Sequence, residues 1–144
     1  FMKKVLLATL LFISFNATCM AEGNAENSKF DWEPVMAALI KVESNGNPYA
    51  VNGIWVGALQ IAPVLVKECN RILQKRGSSK RYTLKDRYSI EKSKEMFVLI
   101  QSRYNPNNDI SFAIRFWNGG PNYSIKRTQR YYNKVMRHYK KTDA

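Results

Sequence analysis

Apolar residues recur at helical spacing along most of this chain, in segments that end at clusters of Gly, Pro and Asn. The first segment places Met36, Leu39 and Ile40 on one face, at the three- and four-residue spacing of an α-helix. Glycine and proline end such segments because glycine accepts left-handed backbone angles and proline cannot continue a helix. The pattern predicts five helices: one that begins at 31–34 and ends at 45–48, then 63–77, 89–104, 109–117 and 124–139.

One short β element interrupts the helical pattern. Asn52-Gly53 lies between Tyr49-Ala50-Val51 and Ile54-Trp55-Val56, which is the arrangement typical of a tight hairpin turn. With 45% hydrophobic residues the chain can form a packed core, so we exclude a disordered protein. We therefore expect a mostly α fold, with about five helices and one small β-hairpin.

The beginning of the sequence has the layout of a secretory signal peptide. Lys3 and Lys4 precede an apolar run over residues 5–15, and the small residues Cys19 and Ala21 follow. The run is shorter than the ~20 residues that a membrane span needs. We predict a cleaved signal peptide over 1–21, a flexible lead-in over 22–30, a folded domain over 31–144 and export to the periplasm or cell surface. An uncleaved membrane anchor and a lipid on Cys19 are the alternatives.

Histidine and cysteine are too scarce for several classes of site. The chain has one histidine, His138, and two cysteines, which excludes a zinc site built from several His and Cys ligands. After cleavage only Cys69 would remain, so no intrachain disulfide can form, and its position on an apolar helix face predicts a core residue. No glycine-rich phosphate-binding motif is present. We expect a monomer without metal or cofactor.

The charge of the chain points to an anionic partner. The formal net charge is +12, and removal of the two leader lysines would lower it to +10. Cell-wall polymers, anionic membranes and nucleic acid all carry the matching charge. The alternative is a solvated surface of mixed sign. Export argues against nucleic acid, and signal-peptide cleavage would leave no stable membrane insertion.

Glu43 is the polar residue that departs most clearly from the helical pattern. Counting by three and four from Met36 and Leu39 places its carboxylate on the apolar face of the first helix. It also lies in the last turn, where the helix dipole disfavours negative charge. Burial and dipole both raise the pKa of a carboxyl group, and a protonated carboxylic acid can act as a general acid. The alternative is a surface glutamate that pairs with Lys41 or an arginine.

Four segments around and after Glu43 resemble, in order, the motifs of the lytic transglycosylases and their goose-type lysozyme relatives. A Glu-Ser pair precedes an Asn-Pro-x-Ala turn, a glutamine motif leads to a proline, an aromatic-Asn-Gly-Gly-Pro segment follows, and a tyrosine-containing segment closes the series. These are Glu43-Ser44-Asn45-Gly46-Asn47-Pro48-Tyr49-Ala50-Val51, Gly57-Ala58-Leu59-Gln60-Ile61-Ala62-Pro63, Phe116-Trp117-Asn118-Gly119-Gly120-Pro121 and Thr128-Gln129-Arg130-Tyr131-Tyr132-Asn133-Lys134-Val135. The resemblance covers about residues 35–136.

The resemblance implies a lysozyme-like α+β domain with helices around a substrate groove. It implies cleavage of the β-1,4 bond between N-acetylmuramic acid and N-acetylglucosamine in peptidoglycan, with formation of a 1,6-anhydro ring. Glu43 would be the single acid/base. The residues expected to bind substrate or support Glu43 are Ser44, Gln60, Ile61, Trp117, Asn118 and Tyr131.

The sequence departs from the family pattern at several positions. Ala58-Leu59 and Trp117 replace the usual Leu-Met and tyrosine, and the loop over 52–57 is about one residue shorter. Register favours Tyr131 over Tyr132 as the residue that faces the site. Among the remaining acids Asp86 is the one to watch, although an ion pair with its basic neighbours is the expected role.

Other functions stay open at this stage. A lysozyme-type hydrolase would cleave the same bond with water in place of the sugar hydroxyl. A catalytically inactive wall-binding module of a secretion, conjugation or phage apparatus would bind glycan strands without cutting them. A membrane-active basic peptide is the most remote alternative.

Overall fold

The computed structural model describes residues 29–140, which form five helices and one two-stranded antiparallel hairpin. The mostly helical fold with one small hairpin is confirmed. The predicted signal peptide and residues 22–28 of the lead-in lie outside the described residues. The helices and strands are α1 (Glu33–Ser44), β1 (Val51–Asn52), β2 (Trp55–Val56), α2 (Pro63–Lys75), a 3₁₀ helix (Leu84–Tyr88), α3 (Ile90–Tyr104), α4 (Ile110–Gly119) and α5 (Ile125–Met136).

The helix ends follow from local capping chemistry. Three helices begin after a residue whose side chain accepts a hydrogen bond from a backbone N–H of the first turn: Ser89 before α3, Asp109 before α4 and Ser124 before α5. These bonds satisfy N–H groups that have no partner within the helix. Asn45 ends α1 in the left-handed conformation, with φ of 53°. Three predicted ends were wrong by two or three residues: α2 ends at Lys75, α4 continues to Gly119, and α5 ends at Met136.

The core lies between the helices and is apolar. Helix α1 contacts α4 and α5, whereas α2 packs on α3. Leu39, Phe97, Ile114 and Val135 are fully buried where these helices meet, and each contributes about 1.5–3 kcal/mol by leaving water. The predicted burial of Cys69 is confirmed, and burial raises the pKa of its thiol to about 12. No helix over residues 29–140 has the length and apolar character needed to cross a membrane.

The hairpin is present, but its turn lies one residue later than predicted. Asn52 pairs with Trp55, so the two loop residues are Gly53 and Ile54 rather than Asn52 and Gly53. Only Gly53 has a positive φ, 60°. A turn with one left-handed residue at its first central position suits Gly-x, whereas Asn-Gly turns need two left-handed residues. The shift places Asn52 within the strand.

A 3₁₀ helix over Leu84–Tyr88 was not predicted, and it fastens the hairpin to the rest of the domain. The buried guanidinium of Arg87 donates to the carbonyl oxygens of Ile54 and Ile61, both at 3.1 Å. Asp86 caps the 3₁₀ helix by accepting from the N–H and hydroxyl of Thr83. The expected ion pair of Asp86 with its basic neighbours was therefore wrong, because its carboxylate is used as a cap.

Candidate active site

A cleft of about 310 Å³ opens at the C-terminal end of α1. Its size is at the lower end of the range for ligand pockets. Helix α1, the hairpin, the loop before α2 and the end of α4 each contribute to its walls. The lining residues are Glu43, Asn52, Trp55, Gln60, Ala62, Trp117 and Asn118. Four of the predicted site residues, Glu43, Gln60, Trp117 and Asn118, thus come together around one cavity.

Glu43 is half-buried at the wall of this cleft. Burial raises the pKa of its carboxyl group, because the charged form loses hydration. A hydrogen bond from Tyr131 and the positive charge of Lys134 act in the opposite direction, and the burial effect is the larger. The side chain therefore combines contact with the cleft and a preference for the protonated acid.

Tyr131 reaches Glu43 from α5. Its hydroxyl donates a hydrogen bond to Oε1 of Glu43, which leaves Oε2 as the oxygen that can carry the acidic proton. Tyr132, the alternative, lies under the guanidinium of Arg115, 4.3 Å from the charge centre to the ring centroid. Of the two tyrosines, Tyr131 therefore faces the glutamate, as register favoured.

Gln60 shapes the loop that follows the hairpin. Its backbone is left-handed, with φ of 50°. Its side-chain amide donates to the carbonyl oxygens of Ala50 at 3.2 Å and Gly57 at 2.9 Å. These bonds close the 50–60 loop on itself and place the amide group at the cleft. The position predicted for substrate contact thus also has a structural role.

Apart from Tyr131, which contacts Glu43 rather than the cavity itself, two residues predicted to bind substrate, Ser44 and Ile61, do not line the cleft. The hydroxyl of Ser44 donates to the carbonyl oxygen of Ala58 at 2.9 Å, so it ties the end of α1 to the glutamine loop. Ile61 is only 1% exposed and packs in the core. Its backbone N–H donates a hydrogen bond to the carbonyl oxygen of Val56. Its own carbonyl oxygen accepts hydrogen bonds from the N–H of Val56 and from the guanidinium of Arg87. A direct substrate contact by Ile61 was therefore a wrong prediction, because the motif residue points inward.

The end of α4 supplies another part of the cleft wall. The indole N–H of Trp117 donates to the carbonyl oxygen of Leu59 at 3.1 Å, and its ring contacts Phe97, with centroids 5.0 Å apart. The ring is therefore fixed in position at the edge of the cleft. Asn118, one residue later, is exposed and leaves its side chain free to face the cavity.

The hairpin contributes two residues that were not predicted as site residues. Asn52 and Trp55 form a cross-strand pair, and both line the cleft. The Trp55 side chain remains 49% exposed, which is unusual for tryptophan in a small domain and suits a ring that stacks on a ligand. The exposed tryptophan next to the Asn-Gly pair was the available signal in the sequence.

Among the residues that line the cleft, Glu43 is the only acid. The other carboxylates over residues 29–140 are committed elsewhere. Glu33, Glu68 and Glu95 pair with lysine or arginine, and Asp31, Asp86, Glu91 and Asp109 accept local hydrogen bonds. A mechanism that uses two carboxylates has no second candidate within the described cleft.

Comparisons with known proteins give no match: no family model, no curated protein and no solved structure matches the chain. Within residues 29–140, no group of three or more His, Cys, Asp and Glu side chains is arranged to hold a metal ion. The functional argument therefore depends on the geometry of the cleft and on the motifs themselves.

Proposed function

We propose that this protein is a peptidoglycan lytic transglycosylase that cleaves the β-1,4 bond between N-acetylmuramic acid and N-acetylglucosamine. The observation that carries the proposal is a half-buried glutamic acid with a raised pKa at the wall of a cleft, held by a tyrosine hydroxyl. The family resemblance supplies the substrate class. The cleft supplies a setting in which that chemistry is physically reasonable.

The cleft combines an acid with the groups that sugars bind. Trp55 and Trp117 present aromatic surface, and pyranose rings stack on such surface through their C–H faces. Asn52 and Asn118 place side-chain amides around the same cavity, where they can donate to or accept from hydroxyl and acetamido groups. Gln60 keeps only its side-chain oxygen, as an acceptor, because its amide N–H groups bond Ala50 and Gly57. The lining residues therefore match an uncharged, polar ligand with apolar faces.

Glu43 begins the proposed reaction as the general acid. It transfers its proton to the leaving glycosidic oxygen as the bond from that oxygen to the anomeric carbon breaks. The acetamido carbonyl of the substrate stabilises the positive charge that develops at the anomeric carbon. Burial favours the protonated starting form, and the Tyr131 hydrogen bond supports the carboxylate that results.

The Glu43 carboxylate then acts as the base. It accepts the proton of the 6-hydroxyl group, whose oxygen bonds to the anomeric carbon and closes the 1,6-anhydro ring. The glutamate returns to its protonated state, and no water is consumed. Retaining and inverting glycosidases use a second carboxylate as nucleophile or base. The single acid of the cleft favours the intramolecular route over hydrolysis.

The product spectrum tests this proposal. Purified protein is incubated with peptidoglycan, and the released muropeptides are analysed by mass spectrometry. We expect anhydro ends with the wild type, no release with Glu43→Gln, and normal release with Glu91→Gln, which makes the same change on an exposed glutamate of α3. Reducing ends alone would identify a hydrolase. Folded protein that binds walls without cutting them would identify a binding module.

The proposed substrate lies outside the cytoplasmic membrane, in agreement with the leader predicted over residues 1–21. We infer an exported protein that acts as a monomer on glycan strands in the periplasm or at the cell surface. Opening the wall for a secretion, conjugation or phage apparatus is one task for such a protein.

A further inference from the structure

A second, larger depression lies along the surface of α5; all of its lining residues lie within residues 126–137, and it is strongly basic. Its volume is about 980 Å³, and five of its eight lining residues are cations: Lys126, Arg127, Arg130, Lys134 and Arg137. The other three, Gln129, Tyr131 and Asn133, are polar, and no acidic residue is among the eight. We call this cavity the α5 groove.

None of the five cations of the α5 groove forms an ion pair within residues 29–140, although the charge of Lys134 acts on Glu43 from a distance. The ion pairs of that part of the chain use Arg71, Lys80 and Lys94 instead. Like charges one turn apart on a helix repel each other by about 0.2–0.5 kcal/mol per pair. A row of cations that have no carboxylate in ion-pair contact is therefore suited to an anionic ligand.

Shared lining residues link the α5 groove to the cleft. A small cavity of about 320 Å³ lies between them, and it shares Asn118 with the cleft and Arg127 with the α5 groove. Tyr131 makes a second connection, because it lines the α5 groove while its hydroxyl bonds Glu43. A chain molecule that leaves the cleft past Asn118 would therefore meet the cations of α5.

We propose that the α5 groove binds the carboxylates of peptides attached to the glycan strand that is cut at Glu43. This inference rests on the proposed function and adds a preference for peptide-bearing over bare glycan. Residues 126–137 span about 16 Å at 1.5 Å per residue, so several carboxylates of one strand can be bound at once. The guanidinium groups of Arg127, Arg130 and Arg137 can each bind a carboxylate through two parallel hydrogen bonds.

The side chains that line the groove favour a peptide over a membrane as its ligand. A membrane-binding surface needs apolar side chains that insert between lipids, as well as positive charge. The lining of the α5 groove contains one aromatic residue, Tyr131, and its hydroxyl is bound to Glu43. Of the large exposed apolar residues, Ile125 is the one on α5, and it does not line the groove. Tyr49, Val51 and Ile54 belong to the hairpin region.

A sedimentation assay with cell-wall sacculi tests the proposal. Covalently attached phosphate polymers are removed first, so that carboxylates are the remaining anions. Half of the sacculi are then treated with carbodiimide and methylamine, which converts their carboxylates to neutral amides. Binding is measured with the Glu43→Gln protein, which is expected not to cut the wall.

Charge variants assign the binding to the groove. In the same background, Lys126→Gln with Arg130→Gln removes two charges from the α5 groove. The matched control, Lys67→Gln with Lys75→Gln, removes two charges from exposed positions of α2 that line neither the cleft nor the groove. We expect the groove variant to bind native sacculi about fivefold more weakly and to lose most of its sensitivity to amidation. The control should bind like the parent protein.

Three outcomes would overturn the proposal: equal binding to native and amidated sacculi, an equal loss with the control variant, or groove-dependent binding to anionic lipid vesicles but not to sacculi. The result is separable from that for the proposed function. If the wild type releases anhydro products but carboxylates have no effect, only the groove inference fails. If it cuts nothing and the groove-dependent binding persists, the cleavage proposal fails and the ligand of the groove stands.

Discussion

Gly57 holds the hairpin against the 3₁₀ helix, and replacing it tests how the cleft is built. A Cβ atom at Gly57 would lie 1.8 Å from the carbonyl oxygen of Arg87, and the residue has φ of +84°. Gly57→Ala therefore adds two costs: left-handed strain of about 1–2 kcal/mol, and a backbone shift of about 1–3 kcal/mol. The shift would displace strand β2, which holds Trp55 at the wall of the cleft.

Gly46→Ala is the matched control, because Gly46 has the same φ of +84° and a Cβ there would meet nothing within 4 Å. The difference between the two variants isolates the steric cost. At about 2.1 cal/mol/K per residue, a domain of this size loses roughly 4 °C in melting temperature for each kcal/mol. We expect Gly57→Ala to melt about 4–12 °C below Gly46→Ala by circular dichroism. Gly57→Ala should also lose more of the glycan-cleaving activity than Gly46→Ala does. Melting temperatures within about 2 °C of each other would refute this account of the hairpin.

The remaining predictions concern Glu43. Tyr131→Phe removes a hydrogen bond that lowers the pKa of Glu43, so the loss of activity at high pH should shift upward while the maximal rate falls about tenfold or more; an unshifted pH–rate profile would contradict this role. Burial raises the pKa of Glu43 in the folded state, so between the unfolded and folded pKa values the folded protein holds this proton more tightly than the unfolded chain does. The contribution of Glu43 to the free energy of unfolding therefore falls as the pH rises above about 4.5, the ordinary value. Glu43→Gln should therefore be more stable than the wild type at pH 7, by the order of 1 kcal/mol, and equal to it at pH 3. Chemical unfolding at both pH values checks this, and equal gains at both would contradict it.

Most of the fold could be predicted because its signals are local. Apolar spacing located all five helices, and Ser, Asp, Gly and Pro residues located their ends to within about three residues. The 3₁₀ helix was missed because five residues are too few to show periodicity. Thr83 and Asp86 could nevertheless have indicated this helix, because Thr-x-x-Asp is the spacing at which two side chains cap one helical turn.

The site could be predicted in part. Glu43 was identifiable because a carboxylate on an apolar helix face is physically unusual, and Tyr131 because the register of the motif that resembles the transglycosylases favoured it. The inward side chain of Ile61 and the buried guanidinium of Arg87 depend on contacts between segments distant in sequence. No local pattern encodes such contacts. The same is true of the residues that link the cleft to the α5 groove.

The central claim is that the surroundings of Glu43 keep its carboxylic acid protonated more readily than a glutamate in water. Carbon-13 NMR of side-chain carboxyl groups measures this directly, with one titration curve for each glutamate. The account predicts that the pKa of Glu43 lies above the ordinary value of 4.5, while the ion-paired Glu68 and Glu95 lie below it. A Glu43 that titrates at or below the values of Glu68 and Glu95 would contradict the account.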